Sequence, residues 1–276
     1  MKMRTSSFGY LQRKSFVHRL NPLTKFAVLI LLVILTVTLV SDITSFCIFL
    51  FILFGFIGAG ISLRYAFGRL RRLITFILLI ALVQLLFTPY GTIFFYLIPP
   101  LAPGFGPFFP ITAVGIANAI NLAFRLINIV LASTLFVGTT DPSRFAAALT
   151  QLRIPYRYGY TLVLALRLVP LFDEESNTVQ AAQRARGIPV DQGIIRGFFR
   201  RIRYTFMPML FSALGRVDAL TLAMDGRGFG YAPTRTFLGF PDFALKDRVI
   251  VLVSIFLTSL ILWYFLFIAP LPQIIG

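Results

Sequence analysis

From Leu73 to Phe124 the chain runs for 52 residues without one Asp, Glu, Lys or Arg. A soluble fold interrupts its apolar segments with charged turns and faces, and about a quarter of its residues are charged. A helix needs about 20 apolar residues to cross the hydrocarbon core. The stretch is therefore too long for one span and predicts two, with the Pro/Gly-rich segment Pro99–Pro110 as the break. The whole chain agrees: 58% of residues are apolar and 13% charged, and mean hydropathy is +0.85. Disorder is excluded, because disordered chains are poor in apolar residues. The expected fold is an all-α integral membrane protein.

Three further spans are expected. Phe26–Ser41 lies between Lys25 and Asp42, Ile43–Leu63 ends before Arg64, and the charge-free Val249–Gly276 holds the last. The span after the Pro/Gly break runs on through Arg125 to about Val137. Met1–Lys25 carries six basic residues and no acid, and Arg64, Arg69, Arg71 and Arg72 sit between the second and third spans. The Ser41–Asp42 corner and the Pro99–Pro110 segment hold no Lys or Arg. Basic residues collect in cytoplasmic loops. This places the N-terminus in the cytoplasm, in the cell membrane, and the C-terminus outside. The net charge of +16 reflects the same bias and not a nucleic-acid partner.

The expected organisation is a cytoplasmic N-terminal segment 1–25, a four-helix transmembrane region 26–138, a cytoplasmic domain of long helices 139–248, and a last transmembrane helix with the C-terminus, 249–276. Within 139–248, Asp141-Pro142 reads as an N-cap with proline at the first helical position, continued by Ser143–Leu152. Tyr158–Leu166 is apolar but is followed at once by Arg167 and Pro170, so it is not read as a span; the alternative is a sixth crossing there, which would reverse the C-terminus. Asp173–Arg186 reads as a polar helix stopped by Gly187 and Pro189, with Asp173, Glu174 and Glu175 opening it where acids suit the dipole. Ile194–Phe206 sets Ile194, Ile195, Phe198, Phe199 and Ile202 on one face against Arg196, Arg200, Arg201 and Arg203. That pattern suits a helix lying on an anionic leaflet. Phe211–Arg227 carries small residues that allow close helix approach, and Gly226, Gly228 and Gly230 end it.

Several chemistries are excluded. One cysteine, Cys47, and one histidine, His18, leave no disulfide, zinc finger, iron–sulfur cluster or His-rich metal site within this chain. No Gly-Lys dipeptide occurs, so there is no phosphate-cradling P-loop. Gly226, Gly228 and Gly230 follow a helix, not a strand, and make no dinucleotide fingerprint. No cofactor and no catalytic set is expected. Arg125, in the middle of a span, should face protein or water.

The clearest internal repeat is Ala185-Arg186-Gly187 against Gly226-Arg227-Gly228, each at the expected C-terminal end of a helix. Two well-capped helices account for this pattern, since glycine adopts the left-handed cap and arginine complements the dipole. A second account is functional: two arginines are offered to acidic grooves of a partner, because the guanidinium binds carboxylates bidentately and keeps its charge.

Three segments also resemble the EcfT family, the transmembrane T components of energy-coupling factor importers, with the related cobalt-transporter permeases. Ser15–Lys25 is similar to the family's Asp/Asn-Pro-x-x-Lys opening motif, here Asn21, Pro22 and Lys25. The second segment runs from Thr140-Asp141-Pro142 through Leu152-Arg153-Ile154-Pro155 and Ala165–Pro170 to Glu174-Glu175, and the third is the triplet pair. Gly226 stands where the family usually has another small residue, and Asn21 where Asp is commoner. The resemblance implies a non-catalytic subunit that joins two ATP-binding-cassette ATPase subunits to a substrate-binding membrane S component, within the lipid bilayer, for uptake of a vitamin or other micronutrient. Residues 139–248 would then be the coupling domain, and the triplets would end two coupling helices, each docked on one ATPase. The competing readings are a conventional importer permease with its own substrate pathway, and a membrane enzyme. The first would present one coupling loop with a Glu-Ala-Ala start, whereas Val179-Gln180-Ala181-Ala182 lacks the Glu. The second lacks intramembrane carboxylates and a ligand set.

Overall fold

The computed structural model describes residues 15–39, 41–88, 90–98, 108–152, 155–188, 194–231 and 244–267. The helices are α1 (Phe16–Arg19), α2 (Pro22–Thr38), α3 (Asp42–Ala59), α4 (Leu63–Leu86), α5 (Ala113–Thr139) and α6 (Pro142–Leu149). They continue as α7 (Tyr156–Ala185), α8 (Ile194–Arg201), α9 (Met207–Gly226) and α10 (Leu245–Phe267). An antiparallel hairpin, β1 (Ile93–Ile98) with β2 (Phe108–Thr112), lies between α4 and α5. The chain divides into two compact units, Met1–Asp141 with Asp242–Gly276, and Pro142–Pro241.

The first unit is built on α3 and α5, which run parallel. Asn128 Nδ2 donates to the Ser45 carbonyl at 2.8 Å, and further along Gly55 faces Leu135. A Cβ on Gly55 would come within 2.8 Å of Leu135 Cδ2, so the bare backbone is what lets the helices close. Ile52, Phe56, Leu131 and Ala132 fill the contact, with Leu35 and Leu39 of the α2 segment. α4 runs back along α5. Thr112 caps α5 by accepting the Gly115 N–H at 3.0 Å and donates its own hydroxyl to the Thr88 carbonyl at 3.1 Å. Outside this core the surface is apolar: Phe54 is 72% exposed and Phe256 66%. Such a surface is at home in a bilayer, where every backbone group is satisfied within the helices.

Several elements begin earlier than expected. α4 starts at Leu63, so Arg64, Arg69, Arg71 and Arg72 form its first turns and not a loop. α10 starts at Leu245, because Asp247 suits the positive end of a helix. The expected Pro99–Pro110 break meets the hairpin, with Phe108–Pro110 in β2 and 99–107 outside the described residues. Also outside them are residues 1–14 of the N-terminal segment, Arg153-Ile154, Pro189 and the C-terminal 268–276. Among the described residues, three helical runs are long and apolar enough to cross a membrane: Ala113–Thr139, Gly197–Gly226 and Leu245–Phe265. Pro22–Thr38 and Ile43–Ala59 are apolar but shorter.

In the second unit α7 corrects the sequence reading. Asp173–Arg186 is not a separate helix; it is the second half of one 30-residue helix from Tyr156 to Ala185 that passes through Pro170. An internal proline removes one ladder hydrogen bond and costs roughly 3 kcal/mol. One lost bond does not end a 30-residue helix that also contacts α6 and α9. Asp173, Glu174 and Glu175 therefore sit in mid-helix, away from any N-terminus. The expected single helix Ile194–Phe206 is divided into α8 and a π-helical turn, Ile202–Phe206, that leads into α9. Pro208 explains the turn: its ring excludes the carbonyl four residues back, and the ladder there widens.

Candidate functional site: two arginine-tipped helices and a three-helix junction

The Ala185-Arg186-Gly187 and Gly226-Arg227-Gly228 triplets fold alike. Ala185 and Gly226 are the last residues of α7 and α9. Arg186 (φ −83°) and Arg227 (φ −97°) are the C-caps. Gly187 (φ +76°) and Gly228 (φ +62°) take the left-handed conformation that follows. At the first tip the Ile188 N–H reaches the Gln183 carbonyl at 3.1 Å and the Gly187 N–H the Arg184 carbonyl at 2.9 Å. At the second the Phe229 N–H reaches Met224 at 3.0 Å and the Gly228 N–H Asp225 at 2.9 Å. Both are Schellman caps, matched bond for bond. Gly226, by contrast, is helical, and a Cβ there would meet nothing within 4 Å. Both arginines are exposed, and among the described residues neither guanidinium has an ion-pair partner.

The sequence did not foretell how the tips are placed. Glu175 of α7 accepts a hydrogen bond from the Ser212 hydroxyl of α9 and lies 3.5 Å from Arg216 Nη2. Past the end of α9, Arg157 Nη2 donates to the Gly230 carbonyl at 3.0 Å. The Phe229 ring packs on Tyr156 and Tyr160, with centroids 5.8 and 4.7 Å away. Thus α9 runs antiparallel to α7, and its tip is fastened to the start of α7. Arg186 is 26 residues beyond Tyr160, about 39 Å of helix rise. Arg186 and Arg227 each lie eleven residues past the Glu175–Arg216 tie on their own helix, in opposite directions.

The opening motif builds a second constellation. Asn21 caps α2 by accepting the Leu23 N–H at 2.9 Å, and Pro22 takes the first helical position. The Asn21 N–H donates to Asp247 Oδ1 of α10 at 2.9 Å, a buried bond. Lys25 Nζ donates to the Thr139 carbonyl at the end of α5, 2.9 Å away, and to the His18 carbonyl at 3.4 Å. His18 is held in turn, its Nδ1 2.8 Å from the Ser15 hydroxyl. Asn21, Pro22 and Lys25 thus join the start of α2 to the end of α5 and the start of α10. Sequence reasoning missed Asp247, which is 4% exposed. It also missed the tie made by Glu175. Arg125 is half-buried in α5, and its Nε and Nη2 are buried without a hydrogen-bond partner among the described residues. No group of three or more His, Cys, Asp or Glu that could hold a metal ion occurs among the described residues.

Comparison with known proteins gives a consistent result. Residues 13–236 match the family described as Cobalt transport protein (CbiQ). The chain is 30% identical over 263 residues to the energy-coupling factor transporter transmembrane protein EcfT of Streptococcus thermophilus, covering 92% of this chain and 96% of the relative. It is 28% identical over 256 residues to the EcfT protein of Streptococcus equi subsp. equi, covering 90% and 92%. With the EcfT protein of Bacillus subtilis it shares 25% identity over 261 residues, covering 91% and 95%. Matches of this reach, over a helical membrane fold, identify the chain as a member of the EcfT/CbiQ family, a transmembrane T component of energy-coupling factor transporters.

Proposed function

We propose that this chain transmits ATP-driven motion from two ATP-binding-cassette ATPase subunits to a separate membrane S component that carries a vitamin or other micronutrient. The supporting observation is the pair of matched arginine tips at opposite ends of the antiparallel α7–α9 pair. Tips set about 39 Å of helix apart do not fit one groove on one protein. They suit two like subunits whose approach and separation would be felt at both ends of one helix pair. An exposed guanidinium on a capped helix end is a point of attachment for carboxylates. The chain supplies no nucleotide-binding loop, so the hydrolytic chemistry belongs to the partners and this subunit is not itself an enzyme.

The same reading places the N-terminus and residues 139–248 in the cytoplasm of a five-span protein in the cell membrane. The α8–α9 run, although long and apolar enough to cross, is assigned to the coupling domain. It carries Arg200, Arg203, Arg216, Asp218, Asp225 and the Arg227 tip. The test is capture of ATPase subunits and substrate uptake at matched expression. The Arg186→Ala/Arg227→Ala double variant is expected to lose both while remaining folded in the membrane. Full assembly by that variant overturns the role of the tips. Orientation is tested separately: a cysteine at position 274, in a Cys47→Ser background, should react with an impermeant thiol reagent in intact cells, and labelling only after lysis reverses the C-terminus.

A further inference from the structure

Two apolar cavities in the first unit share Val28, Leu32 and Phe51 as walls. One, of about 220 Å³, begins at Thr24 and Lys25. The other, of about 300 Å³, reaches Leu35 of α2, Cys47 of α3 and Ile261 of α10. Set end to end, the two follow α2 from Thr24 to Leu35, about 16 Å of helix rise, as one broken groove. One leaflet of a bilayer core is about 15 Å deep.

The two ends of the groove differ in chemistry. The far end is walled mostly by Leu35, Ile48, Leu257 and Ile261, with Ser254 and Thr258 beside them, and the Thr258 hydroxyl is already engaged by the Ser254 carbonyl. The near end holds the hydroxyl of Thr24, which is 1% exposed and has no hydrogen-bond partner among the described residues. Thr36, Thr134 and Thr139 satisfy theirs on the carbonyl four residues back. For Thr24 that residue is Leu20, which precedes the helix. A buried hydroxyl left unmatched is costly, and this one lies in the wall of an open cavity. Around the same end the exposed charge is basic. Arg19 adjoins the lining residue Leu20, and Lys246 lies one turn before the lining residue Ile250 of α10. Of the nearby acids, Asp247 is buried and engaged by the Asn21 N–H, and Asp141, two residues past the lining residue Thr139, is half-buried.

We infer that this groove is a binding site for one anionic phospholipid. Its acyl chain lies along α2 between α3 and α10. A glycerol or ester oxygen meets the Thr24 hydroxyl, and the phosphate is held by Arg19 and Lys246. The site lies beside the junction of α2, α5 and α10. From there the chain leaves for the second unit and later returns, so an occupied groove would stiffen the root of both connections.

The test uses the full chain assembled with its partners in vesicles. The vesicles contain phosphatidylglycerol or phosphatidylcholine with the same chains, each bearing a photoreactive diazirine at mid-chain. Labelled peptides are mapped by mass spectrometry. Phosphatidylglycerol should label residues 24–35 of α2 and the Cys47 segment in preference to phosphatidylcholine. Arg19→Gln and Lys246→Gln should each reduce that preference about fivefold, the effect of one basic side chain at an anionic surface. Because both residues are exposed, these variants leave packing intact. Val28→Trp, which fills the groove, should abolish labelling by either lipid, and Thr24→Val should weaken it. Equal labelling by the two lipids overturns the inference. So does cross-linking of these positions to a partner's membrane helix in place of lipid, which would make the groove a protein interface.

Discussion

In the first unit Ile52, Phe56 and Leu131 are no more than 1% exposed, and helices touch through bare glycine backbone at Gly55 and Gly115. In the second, α9 has no buried residue along its 20 positions, and α7 buries only Gly159 and Gln183 along 30. Phe211 and Leu222 of α9 are 70% and 76% exposed. The first unit is held by its own core. The second is held by the contact of α6, with Ala146 and Ala148 buried, against α7, and by caps, the Glu175 tie and the aromatic clasp of Phe229; it leaves the apolar surface of α9 for others to cover. A helix pair with so little core of its own is suited to carrying motion, because its surroundings set its position.

The contrast can be broken at four points. The largest effect is expected at the tips. Arg186→Ala or Arg227→Ala alone should weaken ATPase binding by about 2–5 kcal/mol if the contact is partly buried, read as the affinity for ATPase subunits in detergent. Arg→Lys should restore only part of the loss, since an ammonium lacks the two-pronged geometry. A purely capping role predicts the opposite pattern, with Arg→Lys silent and the losses following melting temperature.

The second point is one substitution made in each unit. A Cβ on Gly115 would lie 2.9 Å from Thr112 Oγ1 and 3.2 Å from the Leu85 carbonyl, whereas one on Gly215 meets nothing within 4 Å. Gly115→Leu should destabilise the protein by about 1–3 kcal/mol or more through overpacking. Gly215→Leu should leave the melting temperature unchanged or raise it. Equal losses would mean that the second unit is as tightly packed as the first.

Third, Asp247→Ala removes the acceptor of the buried Asn21 N–H and should cost about 1–3 kcal/mol, while Asp218→Ala on exposed α9 should cost little. Thermal melts of the two variants side by side decide it.

The smallest effects separate two glycines of one tip. Gly226→Ala should stabilise α9 by up to about 1 kcal/mol, and Arg227, held more firmly, should bind ATPase better. Gly228→Ala places a side chain at φ +62° and should cost about 1–2 kcal/mol. Effects of the same sign at both positions would show that the cap is not what presents Arg227.

Short-range physics made much of this protein legible from its residues. The charge-free run at Leu73–Phe124 declared the membrane, since a soluble fold would not go 52 residues without one charged side chain. Asp141-Pro142 marked a helix start, and Arg186-Gly187 and Arg227-Gly228 marked two helix ends, because caps are hydrogen bonds among residues a few positions apart. Even here the reading stopped short where local rules compete. Pro170 looked like a boundary, but α7 passes through it, because one lost bond is a small part of the ladder of a 30-residue helix. What the residues did not disclose were pairings across long stretches of chain. Asn21 meets Asp247 over 226 positions, and Glu175 meets Arg216 over 41. Such contacts leave no period or spacing in the sequence, because they exist only once the helices have packed. The amino-acid sequence alone determined that there would be two arginine tips. Only the tertiary structure decided that they point in opposite directions, because the direction of α9 against α7 is fixed by the Glu175 tie and by the clasp of Phe229 on Tyr156 and Tyr160.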